Sequence, residues 1–325
     1  MRNGVVAHVS CWLGSGLGPP LFALQRWRRL GVIVLYHRVS PDLDPSYPPI
    51  PPPIFDRQVE LIKNHFRVLR LTELLDRLDQ GKSLAGCCAL TFDDGYRDFL
   101  SHAYPILKRQ AVPATHFLVT DCLTSGRPTW NLRLNRLLHD VGSPSAEELP
   151  SRDMKNYLGR MPATERDDWL LNLEANTSGL PAEPEMLSPE DLRVFDPELV
   201  DWGSHTVSHA NLDGCDGPAL RSELTESRER LEGILGSPIQ LLSYPNGRSS
   251  PDVHREAAAS GYSWALAVGQ KALARDSPRY ALPRFDVGAS SLNIKSASAL
   301  ALEVGGFFQA VRDARSALTA KRRPS

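Results

Sequence analysis

Two groups of side chains in this chain have the types and spacing for chemistry. Leu90-Thr91-Phe92-Asp93-Asp94-Gly95-Tyr96 places two adjacent carboxylates at the end of an apolar run. Gly203-Ser204-His205-Thr206-Val207-Ser208-His209 places two imidazoles four residues apart. One carboxylate and two imidazoles make a three-ligand set for a borderline divalent ion such as zinc, and three protein ligands leave a coordination position open, as catalytic sites do. The second carboxylate then stands where it can take a proton from water. Taken singly, each cluster has an ordinary reading. Asp-Asp-Gly is a common turn, and two His at i and i+4 are neighbours on any helix face. Their joint occurrence points to metal-assisted hydrolysis.

On these residues the chain resembles the polysaccharide deacetylase, or NodB-homology, family of carbohydrate esterases. Thr91-Phe92-Asp93-Asp94-Gly95 matches that family's first motif, and Ser204-His205-Thr206-Val207-Ser208-His209 matches its second. Ser243-Tyr244-Pro245-Asn246-Gly247 resembles the third, Arg-x-Pro-Tyr-Gly, with Ser243 in place of the Arg and Asn246 in place of the Tyr. The resemblance implies Asp93 as general base and Asp94, His205 and His209 as metal ligands. It implies a backbone N–H near Asn246 for the oxyanion, with Tyr244 and Pro245 lining the acetyl pocket. The family's last motif, Leu-x-His, supplies a general acid. No His follows His254, but Leu35-Tyr36-His37 fits that motif at the start of the chain. First and last strands are neighbours in a closed barrel, so His37 is expected as a permuted general acid. Leu282-Pro283-Arg284-Phe285-Asp286 is the nearest match to the motif that orients the base, with Arg284 beside Asp93; an ordinary salt bridge is the alternative.

The implied activity is removal of acetyl groups from N- or O-acetylated sugars of a polysaccharide or glycolipid, with Zn2+ as the expected ion and Co2+ or Ni2+ also suited to the ligands. Two other readings stand beside it: the same chemistry on another amide (a formamido sugar or a cyclic imide), or a glycan-binding barrel without turnover.

The elements that must position these groups alternate as an α/β fold does. Strands are expected at Val32–Tyr36, Phe66–Arg70, Ala89–Phe92, Thr115–Thr120, Asp201–Ser204, Ile239–Tyr244 and Ser263–Val268. Helical spacing runs through Phe55–Phe66, Thr72–Gln80 (with Thr72 as its cap), Leu100–Arg109 and Leu220–Leu235. Both motifs sit at C-terminal ends of strands, where such barrels build their sites. The expected fold is a distorted (β/α) barrel of the deacetylase type over residues 31–300. Residues 121–197 form a helical insertion between the two metal motifs, with helices at Leu132–Val141, Asp153–Met161 and Ala163–Glu174. An insertion there suits a substrate lid, and Trp130 at its start offers a ring for a sugar face, with packing as the alternative.

The 325 residues are 42% hydrophobic and carry a net charge of −1, which suits one sizeable core and argues against nucleic acid as a partner. Five cysteines without metal spacing suit a reducing compartment. In residues 1–30 the glycines and prolines of 14–20 break the apolar run, and the basic cluster Arg26-Trp27-Arg28-Arg29 follows rather than precedes it. That order argues against a secretory signal. The expectation is a cytoplasmic protein with a short amphipathic N-terminal segment able to rest on a membrane surface, and a C-terminal helix with a basic tail over residues 301–325.

Overall fold

The computed structural model describes residues 30–139, 151–175, 185–288, 299–300 and 304. The N-terminal segment of residues 1–29 and, apart from Val304, the C-terminal tail of residues 301–325 lie outside the described residues. No helix among the described residues is long and apolar enough to cross a membrane.

Eight strands form one sheet: β1 (Val32–Tyr36), β2 (Arg67–Val68), β3 (Cys87–Phe92), β4 (Ala114–Leu118), β5 (Val200–Ser204), β6 (Leu241–Ser243), β7 (Trp264–Leu266) and β8 (Phe285–Asp286). Their order is β7-β6-β5-β4-β3-β1-β8, with β2 on β3, and every pairing is parallel. The sheet curls until its two ends share one segment. Leu282 bonds back to Ala265 and Ala267 beside β7, while Phe285 and Asp286 pair with Val34 and Leu35 of β1. First and last strands are therefore neighbours.

Side chains alternate across the sheet. Val32, Val34 and Tyr36 of β1 and Cys88, Leu90 and Phe92 of β3 pack outward against helices such as Pro52–His65 and Gly217–Leu235. Ile33, Cys87, Ala89, Phe117, Leu241, Leu266 and Leu282 fill the interior, where the helix Leu71–Asp79 adds Leu71, Leu74, Leu75 and Leu78. The interior is thus apolar at its floor, and the same inward register delivers Thr91, Asp93, Ser243 and His205 above it.

Local chemistry explains most element ends. Asp216 caps the helix Gly217–Leu235 by accepting from the Ala219 N–H, and Gly236 ends it in the left-handed conformation. Thr72 is not the cap expected of it: Arg70 occupies that position, and Thr72 Oγ1 instead reaches Asp201. The expected helix at Leu100–Arg109 is a π-helical turn, Phe99–Ala103, running into the helix Tyr104–Gln110. Between β4 and β5 the described chain forms the helices Thr120–Ser125, Trp130–His139, Ser151–Leu158 and Ala163–Glu174. Cys87, Cys88, Cys122 and Cys215 are free thiols.

Close packing of β5 on β4 depends on Gly203, where a Cβ would lie 2.4 Å from the Phe117 ring and 3.0 Å from the Leu241 carbonyl oxygen. Gly203→Ala is expected to destabilise the fold by about 1–3 kcal/mol through overpacking. A urea midpoint equal to that of the wild type would contradict this close approach.

Candidate active site

β3 leads directly into Asp93 and Asp94, and its inward register aims Asp93 into the barrel mouth. The next residue on a strand faces the other way, but Asp94 has φ 78°, followed by Gly95 at φ 89°. This left-handed turn brings the second carboxylate back to the same site. Of the six non-glycine residues with positive φ among the described residues, Asp94, Thr206, His209 and Asn246 fall in the three motifs. Such strain persists where surroundings over-determine it, and it concentrates at functional sites.

Asp94 Oδ1 lies 3.4 Å from His205 Nε2 and 3.3 Å from His209 Nε2. Although buried, this oxygen accepts no hydrogen bond among the described residues. Ligand atoms of the three residues lie within 4.8 Å of one another. Tetrahedral bonds of about 2.0–2.1 Å space ligands about 3.3–3.4 Å apart, so the trio fits a small divalent ion. The His205 tautomer fits too. Its Nδ1 is 2.7 Å from the Ser243 carbonyl oxygen, which can only accept, so Nδ1 carries the hydrogen and Nε2 presents a lone pair. Burial alone would raise the Asp94 carboxyl, but the two imidazoles outweigh it and hold the group well below the usual range. For His209 burial wins and its pKa falls; for His205 the two aspartates overcome burial and raise it.

Asp93 is only 2% exposed and is gripped by Arg284, which has no exposed surface. Arg284 Nη1 donates to Asp93 Oδ1 at 2.8 Å and Nη2 to Oδ2 at 2.7 Å, a bidentate pair. Ser243 Oγ donates to Asp93 Oδ2 at 2.9 Å and accepts from Arg284 Nη2 at 2.7 Å. Arg284 Nε donates to the Ala267 carbonyl, and Nη1 also reaches Thr91 Oγ1. Ser243, standing where the family motif has Arg, leaves room for a guanidinium arriving from the far end of the chain. Burial opposes ionisation of Asp93, but Arg284 and His205 overcome it and hold its pKa at about 2. The carboxylate is therefore ionised and fixed in orientation, at the cost of basicity.

His37 follows β1 and stands half-buried at the same end of the barrel, its Nδ1 4.0 Å from Asp286 Oδ1 and its ring edge-on to Tyr47 at 5.7 Å. Asn246 is left-handed within the turn Pro245–Gly247, and its side chain donates to Asn211 at 2.8 Å.

Two expected substrate contacts are corrected. Trp130 is 5% exposed, its Nε1 donates to the His209 carbonyl at 2.8 Å, and Arg166 lies over its ring, so no face is open to a sugar. Tyr244, one residue past inward-facing Ser243, points outward into the helix-side core and donates its hydroxyl to the Tyr280 carbonyl; it does not line an acetyl pocket. Sequence reasoning also missed contributors. Glu223 accepts from the Val207 and Ser208 N–H groups, Arg166 donates to the Ser208 carbonyl, and buried His116, its pKa pushed down to about 4 by burial, accepts from the Gly95 N–H. The charged Glu223 among Leu220, Leu224 and Leu231 on the buried face of its helix is the one signal that a sequence offers for any of these.

The Asp93 shift has a definite sign. Its folded pKa lies below the ordinary 3.8, so ionisation adds stability above that value, and the contribution is lost as pH falls through about 2. Arg284→Met strips a buried carboxylate of its partner and should cost about 3–5 kcal/mol at neutral pH. It should also raise the Asp93 pKa, so the penalty shrinks in acid as the lone carboxylate protonates. Equal penalties at neutral and acid pH in denaturant titrations would contradict the pairing.

A family model described as polysaccharide deacetylase matches residues 80–265. The Bacillus subtilis protein YxkH, whose name places it among polysaccharide deacetylases, is 22% identical over 257 residues, 78% of this chain and 70% of its own length. A poly-beta-1,6-N-acetyl-D-glucosamine N-deacetylase of Staphylococcus epidermidis is 22% identical over 239 residues, 71% of this chain and 65% of its own. Among solved structures, the Streptococcus pyogenes deacetylase PplD superposes with a TM-score of 0.60 at 18% identity, covering 85% of this chain and 98% of that one. IcaB from Ammonifex degensii superposes with a TM-score of 0.56 at 18% identity, covering 84% and 97%. The chain belongs to the polysaccharide deacetylase family and is a hydrolase of carbon–nitrogen bonds.

Proposed function

We propose that this protein is a metal-dependent deacetylase that removes acetyl groups from N-acetylated sugars of a polysaccharide. The observation that carries the reading is the convergence of Asp94, His205 and His209 beside a second carboxylate, Asp93, kept ionised by Arg284. Asp94, His205 and His209 would hold the ion, most plainly Zn2+. A bound divalent ion would supply Lewis-acid activation of water and of the substrate carbonyl.

The remaining chemistry belongs to the chain's own residues. Asp93 takes the proton of the attacking water. Arg284 and Ser243 fix the orientation of its carboxylate, so that little reorganisation accompanies the transfer. The N–H near Asn246 serves the oxyanion from a turn whose backbone is constrained. His37, at the end of β1 and beside Asp286 of β8, protonates the leaving nitrogen. Release of acetate and a free amine completes a single-step hydrolysis. The name of the Staphylococcus epidermidis relative supports an N-acetylglucosamine polymer as the substrate class.

The test is acetate release from N-acetylglucosamine oligosaccharides by zinc-loaded protein. Asp93→Asn and His37→Ala are each expected to lower the rate by about 10²–10⁴-fold, the usual share of a general base or acid, with zinc content unchanged. His205→Ala is expected to lose zinc and activity together. Full activity in Asp93→Asn would overturn the mechanism. Release of formate but not acetate from matched substrates would move the activity to formamido sugars.

A further inference from the structure

The inserted helices have their own small core of Trp130, Leu134, Leu137, Leu158 and Leu170, separate from the barrel clusters. Besides the packing of Leu132 on Tyr96 and Val119, they make polar contacts with one short turn of the site, Thr206–His209, which follows His205 and ends in the second His. The Thr206 N–H donates to Ser204 Oγ, and the Thr206 and Val207 carbonyls accept from the N–H groups of Thr120 and Asp121. The N–H groups of Val207 and Ser208 donate to Glu223 Oε2 at 2.9 and 3.0 Å, and Ser208 Oγ donates to Oε1 at 2.5 Å. Arg166 Nη2 donates to the Ser208 carbonyl at 2.9 Å and to Ser208 Oγ at 3.0 Å. Trp130 Nε1 donates to the His209 carbonyl at 2.8 Å.

We propose that the insertion is a brace for the metal site: Arg166 and Trp130 from the inserted helices, with Glu223 opposite, are positioning residues that hold the His205–His209 turn in ligating shape. This rests on the metal reading above. Three physical points support it. Thr206 and His209 both have positive φ (72° and 58°), and non-glycine residues keep that conformation only when neighbours enforce it. Arg166, Trp130 and Glu223 are 2%, 5% and 8% exposed, so their bonds face little competition from water. Arg166 and Glu223 carry opposite charges bridged by one Ser208 hydroxyl, so each depends on the turn between them. Because Asp94 comes from another strand, a tilt of this turn changes the spacing of His209 from Asp94 without any ligand being removed.

The experiment measures zinc affinity by competition with a chromophoric chelator and the visible absorption of the cobalt-substituted protein, neither of which requires turnover. Arg166→Met and Glu223→Gln are expected to weaken zinc binding by about 10–100-fold, as loss of groups that orient metal ligands generally does. Both should shift the cobalt bands, and Arg166→Lys should recover part of the loss. Trp130→Phe deletes one hydrogen-bond donor and serves if Arg166→Met does not fold; about tenfold weaker binding is expected. Arg127→Met, whose guanidinium pairs with Asp167 within the insertion, should leave affinity unchanged. Folded Arg166→Met and Trp130→Phe proteins with wild-type affinity and cobalt spectrum would overturn the brace alone. A wild type that binds no zinc would overturn the metal reading and the brace with it.

Discussion

The structure depends on one ion pair that is almost entirely buried, Asp93 with Arg284. Asp93 and Arg284 sit at the mouth of a barrel whose floor is apolar, and neither charge would be tolerated there alone. Two carboxylates, two imidazoles and a guanidinium occupy one buried cluster because their charges are arranged to compensate. Arg284 answers Asp93, and the buried Asp94 Oδ1 accepts no hydrogen bond among the described residues, which suits a cation beside it. Ser243, in place of the family's arginine, supplies the space and the further hydrogen bond with which Arg284 reaches the base from the segment before β8.

That arrangement ties chemistry to topology. His37 and Arg284 are far apart in the chain, yet β1 and β8 are paired, and the segment from Leu282 also bonds to the β7 side. Closure of the barrel is thus what assembles the candidate acid, the base and its orienting arginine at one rim. The His turn is assembled in the same spirit, its backbone satisfied by residues of four separate helices.

Much of this was legible in the sequence, and for identifiable reasons. Adjacent carboxylates after the apolar run Ala89–Phe92, together with His205 and His209 in the segment that follows Gly203, pointed jointly to one site, and the expected strands lie close to the observed ones, β3 beginning two residues earlier at Cys87. Arg284 was legible as a candidate partner of Asp93 because Leu282-Pro283-Arg284-Phe285-Asp286 is the nearest match to the family motif that orients the base. What could not be read were contacts set by packing. Trp130 looked available to a sugar because nothing in its neighbourhood announces that His209 would take its N–H and Arg166 its face. Tyr244 shares a motif with Ser243 but faces the other way, a consequence of alternation that a motif match does not weigh. Thr72 lost the cap position to Arg70 because the helix starts one residue earlier, a difference that propensity alone does not resolve.

The central claim is that Asp94, His205 and His209 form one metal centre beside Asp93. The most direct measurement is a zinc-edge anomalous difference map from crystals grown with the ion. The account predicts a single dominant peak within bonding distance of an Asp94 carboxylate oxygen and the Nε2 atoms of His205 and His209, with Asp93 beside it and still paired to Arg284. A dominant peak elsewhere, or none at these three residues in zinc-saturated crystals, would contradict it.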